Sequence, residues 1–144
     1  MPFLQSSSCF LAIPSGKDFD MVRQTVTDAL GEFQVEPLDV LKLEPGTAWA
    51  SAIADMINQA DFVIADVTGS PSNTVYELGI AYGLRKPALM LAQQQVSLPG
   101  DLALQQPLVY RADDLPKLRE YLRYWIRDIL SLQRPSETPR FASR

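Results

Sequence analysis

Two carboxylates flank a small polar loop in the stretch ADFVIADVTGSPSNTVYELG, residues 60–79: Asp66 ends an apolar run, and Glu77 follows the loop. A carboxylate at the mouth of a sheet can attack or stabilise the electron-poor anomeric carbon of a sugar, provided it is ionised and unpaired. Each residue also has a purely structural reading. Thr74-Val75-Tyr76-Glu77 fits the S/T-x-x-E capping box, in which Glu77 reaches back to the Thr74 backbone N–H. Asp66 can point into a cleft or accept N–H bonds from the turn over Thr68 to Ser70. Asn73 can cap a helix or bind a ribose hydroxyl. Gly69, Ser70 and Ser72, with the free N–H groups of a helix start, form a candidate phosphate cradle, although the strict P-loop and dinucleotide glycine patterns are absent, and Thr68 beside them is a candidate substrate-binding residue. A second small loop, Pro14-Ser15-Gly16-Lys17, offers backbone donors and one cation, and Trp49 falls near a helix start that could reach the same place.

The elements that must position these residues follow from hydrophobic patterning. Residues 8–13 form a short apolar strand stopped by Pro14, and Phe19, Val22, Val26, Ala29 and Leu30 recur at helical spacing. Residues 33–40 read as a second strand, placed at an edge because Pro37 cannot donate to a ladder. Trp49, Ile53, Met56, Ile57 and Ala60 mark one face of a second helix that Thr47 could cap. The continuous apolar run 61–67 reads as a central parallel strand. A third helix from about Thr74 to Leu84 is apolar nearly all round, with Gly79 and Gly83 placed for close packing. Strands over 86–92 and 107–110 follow. Leu115, Leu118, Leu122, Trp125, Ile126 and Ile129 then trace a long amphipathic helix. Residues 1–132 thus read as one domain and residues 133–144 as a mobile tail.

This alternation predicts an α/β fold, a single flavodoxin-like three-layer domain with a five-stranded parallel sheet in the order 2-1-3-4-5. Ligands bind such sheets outside the carboxyl ends of the strands, where the crossovers from the first and third strands diverge. Those are the loops that begin at Pro14 and Asp66.

Composition removes several chemistries. With no histidine among 144 residues, a histidine metal site and a Ser-His triad are excluded. A formal net charge of -4 makes a nucleic-acid backbone a poor partner. The lone cysteine, Cys9, lies in an apolar run, where packing is the expected role and no internal disulfide can form. No stretch approaches the roughly 20 apolar residues that span a bilayer, so a cytoplasmic protein without membrane contact is expected. No metal or cofactor is expected.

The segment QADFVIADVTGSPSNTVYELGIAYGLRKPALML, together with CFLAIPSGKDFD, resembles the nucleoside 2-deoxyribosyltransferase-like superfamily, especially its short TIR-like, nucleotide-binding members. The resemblance spans roughly residues 8–130. It implies that Glu77 matches the glutamate nucleophile that takes the (deoxy)ribosyl group from its base, with Asp66 as a second catalytic carboxylate and Asn73 facing the same sugar cleft. The implied ligand is a nucleoside, a nucleotide or an NAD-like molecule, and the implied reaction is hydrolysis or transfer at its N-glycosidic bond. One departure is visible. Several deoxyribosyl-cleaving relatives carry an aspartate on the second helix, which falls at Ile53 in this chain. Asp55 cannot simply replace it, because two residues turn a helix by about 200°. A non-catalytic nucleotide sensor and a TIR-like interaction module are therefore the rival expectations. The broad apolar surface of the third helix, and the stripe Leu118, Leu122, Trp125 and Ile129 of the last, suggest a homodimer or higher oligomer.

Overall fold

The computed structural model describes residues 6–44, 46, 48–94, 96–103 and 105–133. In chain order the elements are β1 (Ser8–Ala12), α1 (Lys17–Glu32), β2 (Glu36–Asp39), a 3-10 turn (Val40–Lys42), α2 (Trp49–Gln59), β3 (Phe62–Asp66), α3 (Ser72–Gly83), β4 (Ala88–Gln93), the single-turn α4 (Gly100–Ala103), β5 (Leu108–Tyr110) and α5 (Leu115–Gln133). All strand pairs are parallel, and the sheet order is β2-β1-β3-β4-β5, as the sequence predicts. β2 pairs only with β1, so Pro37 does occupy an edge strand. The second strand is shorter than the pattern predicts. Phe33 closes α1 by donating to the Leu30 carbonyl, and Gln34 takes a left-handed conformation (φ 59), so extended backbone begins only afterwards.

Strand alternation sorts the core into two layers. Cys9 and Leu11 of β1, with Phe62 and Ile64 of β3, meet Val22, Val26 and Leu30 of α1 and Leu118, Leu122 and Ile126 of α5. Phe10 and Ala12, with Val63 and Ala65, face the other way and meet Ile57 of α2 and Leu78 and Ala81 of α3. Fully burying one large aliphatic or aromatic side chain is worth about 1.5–3 kcal/mol, so these two layers hold the strand ends and their loops in register. Cys9 is completely buried, and burial pushes its thiol well above its ordinary value, in keeping with a packing role.

Two packing expectations need correction. A Cβ at Gly79 or Gly83 would meet nothing within 4 Å, because both glycines lie on the open face of α3 beside the exposed Tyr76 and Tyr82. The stripe of α5 is spent within the molecule. Leu118, Leu122 and Ile126 are buried, Ile129 packs against the same core, and Trp125 sets its ring edge-on to Phe62 at 5.4 Å and 69°. Thr47, expected as a cap for α2, and the tail beyond Gln133 lie outside the described residues. Among the described residues no helix is long and apolar enough to cross a membrane, and no group of three or more acidic or sulfur side chains could hold a metal ion.

Candidate active site

The loops after β1 and β2 and the starts of α2 and α3 enclose a cavity of about 410 Å³. That lies within the roughly 300–1,000 Å³ typical of small-molecule sites. It is lined by Ile13, Pro14 and Ser15 after β1, Val40 and Leu41 after β2, Trp49 and Ile53 on α2, and Asn73, Thr74, Tyr76 and Glu77 on α3. Among the described residues that line it there is no lysine or arginine. Leu41, Trp49 and Tyr76 form an apolar rim, at 52%, 46% and 59% exposure.

Glu77 is the carboxylate among the described residues that line this cavity. α3 begins at Ser72, preceded by Pro71 without any side-chain cap, so Glu77 falls in the second helical turn and does not close a capping box with Thr74. Thr74, Glu77, Leu78 and Ala81 recur at i, i+3, i+4 and i+7 and make the inward face of α3. A carboxylate therefore occupies a position that periodicity assigns to a hydrophobe. The residue is only 6% exposed; no hydrogen bond or ion pair from another described residue reaches its carboxylate, and its oxygens keep their solvent access through the cavity. Burial, reinforced by the negative field of Asp39 and partly offset by Arg23, pushes the Glu77 carboxyl up to about 7.

Arg23 and Asp39 stand behind the cavity wall. Arg23 reaches from α1 to donate from Nη1 to Asp39 Oδ2 at 2.6 Å, and from Nη2 to the carbonyls of Ile13 at 2.6 Å and Pro14 at 3.1 Å. The other oxygen of Asp39 accepts the Leu41 N–H at 3.1 Å, which shapes the turn after β2. One guanidinium thus ties together the two strand ends that wall the cavity. Breaking such a part-buried pair from one side leaves an uncompensated charge and costs about 3–5 kcal/mol.

Asp66 belongs to a different layer. It continues the parity of Phe62 and Ile64 along β3, so its side chain turns towards the α1/α5 side, away from α3. One oxygen accepts the Thr68 N–H at 2.9 Å and the Thr68 hydroxyl at 2.6 Å; the other accepts the Tyr110 hydroxyl at 2.5 Å. Gln93 donates its N–H to the Thr68 hydroxyl oxygen and its side-chain amide to the Tyr110 oxygen, which ties the ends of β3, β4 and β5 together. Burial raises the Asp66 carboxyl, while the bonds from Thr68 and Tyr110 oppose that rise. Gly69 (φ 75) and Ser70 (φ 53) complete the turn, with the Ser70 N–H donating to the Val67 carbonyl at 2.8 Å.

The structure brings Pro14, Ser15, Trp49, Asn73 and Glu77 to one cavity, and leaves Gly16, Asp66, Thr68, Gly69 and Ser72 outside its lining. Gly16 enters α1 with φ 117, a conformation that favours glycine, so its place in the loop has a backbone reason. Ile53 lines the cavity wall, and Asp55 is exposed and outside the lining. Sequence reasoning missed Arg23, Asp39, Leu41 and the rim position of Tyr76. An arginine one residue after a buried valine of α1, and an aspartate closing an otherwise weak edge strand, were the available signals.

No family model and no curated protein matches the chain. Solved structures do. The TIR domain of a Toll-related receptor from Hydra magnipapillata aligns with a TM-score of 0.66 at 18% identity, over 84% of this chain and 96% of that one. The CMP N-glycosidase of Clostridium botulinum aligns with a TM-score of 0.58 at 22% identity, over 80% of this chain and 99% of that one. The 2-deoxyribosyltransferase of Bacillus psychrosaccharolyticus aligns with a TM-score of 0.56 at 16% identity, over 78% and 90%. At these identities the likeness is one of fold, and the chain has the TIR-like, 2-deoxyribosyltransferase-like α/β fold.

Proposed function

We propose that the protein binds a nucleoside, a nucleotide or an NAD-like molecule in the Glu77 cavity and cleaves or transfers at its N-glycosidic bond. The observation that carries this reading is a buried carboxylate without a hydrogen-bonding partner, on the inward face of α3, opening on a cavity with aromatic side chains at its rim. Groups perturbed by burial and a nearby charge, sitting in a cleft, cluster at functional sites. The fold shared with an N-glycosidase and a deoxyribosyltransferase agrees with it.

In this reading a Glu77 oxygen attacks C1′ of the sugar, and the base departs with the electron pair of the C–N bond. A neutral base takes up a proton from solvent as it leaves; a pyridinium base needs none. Water, or a second base in a transfer, then displaces the Glu77 oxygen from C1′ and restores the carboxylate. Trp49 and Tyr76 offer flat apolar faces to the base. Asn73, Ser15 and the Pro14 backbone are at hand for the sugar. Asp66, Thr68 and Gly69 contribute by fixing the loop that feeds α3. With Leu41, Trp49 and Tyr76 exposed, a second copy of the chain would close the rim, as a homodimer or higher homo-oligomer; light scattering over micromolar dilution tests that part.

The rival is a non-catalytic nucleotide sensor or TIR-like interaction module. It draws on the Glu77 carboxyl, pushed up to about 7 and so less available as an anion, and on the aliphatic Ile53 in the wall. Thermal-shift measurements against nucleosides, mononucleotides and NAD, with chromatography of each hit for free base, separate the two. Stabilisation with base release supports catalysis. Stabilisation without release supports the sensor, and no stabilisation by any of them overturns both.

A further inference from the structure

We infer that Arg23 and Asp39 form a positioning pair for the cavity, in which the guanidinium clasps the ends of β1 and β2 and balances Asp39, a carboxylate whose field reaches Glu77. The inference rests on the reading of Glu77 as the reacting group.

Its first support is geometric. Arg23 comes from the helix on the opposite face of the sheet from α3, yet its donors end at the rims of β1 and β2, on the Ile13 and Pro14 carbonyls and on Asp39. These are the backbone segments that present Ile13, Pro14, Ser15, Val40 and Leu41 to the cavity. Asp39 in turn holds the Leu41 N–H, so the pair fixes both walls opposite α3. Charge supplies the second support. Among the elements packed around Glu77, the loop after β1 contributes Ile13, Pro14 and Ser15, and α2 contributes Trp49 and Ile53; none of these titrates. The charged groups acting on Glu77 are Asp39, which favours its neutral form, and Arg23, which favours its anion. Arg23 therefore does two things with one group: it shapes the wall, and it keeps the Asp39 charge from suppressing the anion that attack on C1′ requires.

These roles separate from mere structural support because Arg23→Met removes, and Asp39→Asn strips of its charge, the same 2.6 Å contact. Loosening of the wall alone would move Glu77 in the same direction in both variants. A pair acting through its field moves Glu77 in opposite directions. The experiment follows the Glu77 side-chain carboxyl by carbon NMR on carboxyl-labelled protein, assigned by its loss in Glu77→Gln, and needs no turnover. In the wild type the midpoint is expected near 7. Asp39→Asn is expected to bring the midpoint down towards the ordinary glutamate value of 4.5, and Arg23→Met to raise it above the wild-type value. Arg23→Lys retains the positive charge and is expected to hold the midpoint near the wild-type value, which gives a second comparison should Arg23→Met fail to fold. Shifts of the same sign in Asp39→Asn and Arg23→Met, an unmoved midpoint in Asp39→Asn, or a midpoint in Arg23→Lys raised well above that of the wild type, would overturn the inference. An absence of base release from any nucleoside would instead strike the proposed reaction and leave this titration readable.

Discussion

Replacing Glu77 with Gln should make the protein more stable at pH 8 and leave its stability at pH 4 nearly unchanged. Folding moves the carboxyl from an ordinary 4.5 to about 7, chiefly because the inward face of α3 removes it from water. Below pH 4.5 the group is protonated in both folded and unfolded chains and contributes no difference. Between 4.5 and about 7 the unfolded chain has released the proton while the folded chain still binds it, so stability falls as pH rises through that window. Above about 7 the whole penalty is present. That rise of about 2.5, at roughly 1.4 kcal/mol per pH unit, sets an upper bound of about 3.5 kcal/mol, and water entering the open cavity screens part of it, which leaves about 1–3 kcal/mol. Glutamine keeps the volume and carries no charge, so it avoids this penalty. Urea denaturation at intervals from pH 4 to 8.5, with m-values compared to verify that both proteins unfold alike, reads the difference directly. The raised carboxyl of Asp66 acts with the same sign in both proteins and cancels. A difference between the two proteins that does not change with pH, or a Gln variant less stable at pH 8, would refute the account of Glu77 as a carboxylate held out of water for a purpose other than stability.

Three further outcomes follow from the same geometry. Tyr110→Phe removes the donor to Asp66 Oδ2 and leaves a buried oxygen unsatisfied, so denaturation should show a loss of about 1–3 kcal/mol with nucleotide affinity little changed. Gly79→Ala, at an exposed helical position with open space for a Cβ, should stabilise the fold by about 0.5–1 kcal/mol in thermal or urea unfolding; a loss would reveal a close approach on that face of α3. Base release, if Glu77 attacks as its anion, should rise with pH through about 7 in kcat/KM profiles, and Asp39→Asn should carry that rise to lower pH; a flat profile across pH 5–8 would contradict the nucleophilic role.

Most of the fold was legible because its signals are local and periodic. The apolar runs of β1, β3 and β4 and the helical spacing in α1 and α5 survive in the structure, and Pro37 placed β2 at the edge. What eluded the sequence was orientation. Asp66 and Glu77 look like partners in a linear reading, yet strand parity turns Asp66 to the side of Tyr110 while α3 carries Glu77 on the other face of the sheet. That parity was in principle readable, since Phe62, Ile64 and Asp66 share one side of β3. The Arg23–Asp39 pair was not, because it joins α1 to the end of β2 across 16 residues and depends on how the two loops close. Apolar character alone also misassigned surfaces. The stripe of α5 is consumed by α1 and the sheet, and the glycines of α3 face open space.

The account turns on whether chemistry occurs at Glu77. The most direct measurement is chromatographic detection of free base after incubating wild-type protein and Glu77→Gln with nucleosides, mononucleotides and NAD at pH 7.5, with both proteins first shown to be folded. The account predicts release of base from at least one of these by the wild type and a loss of about 10³-fold or more in the variant, the scale expected when a covalent nucleophile is removed. Release at equal rates by both proteins, or by neither, would contradict it.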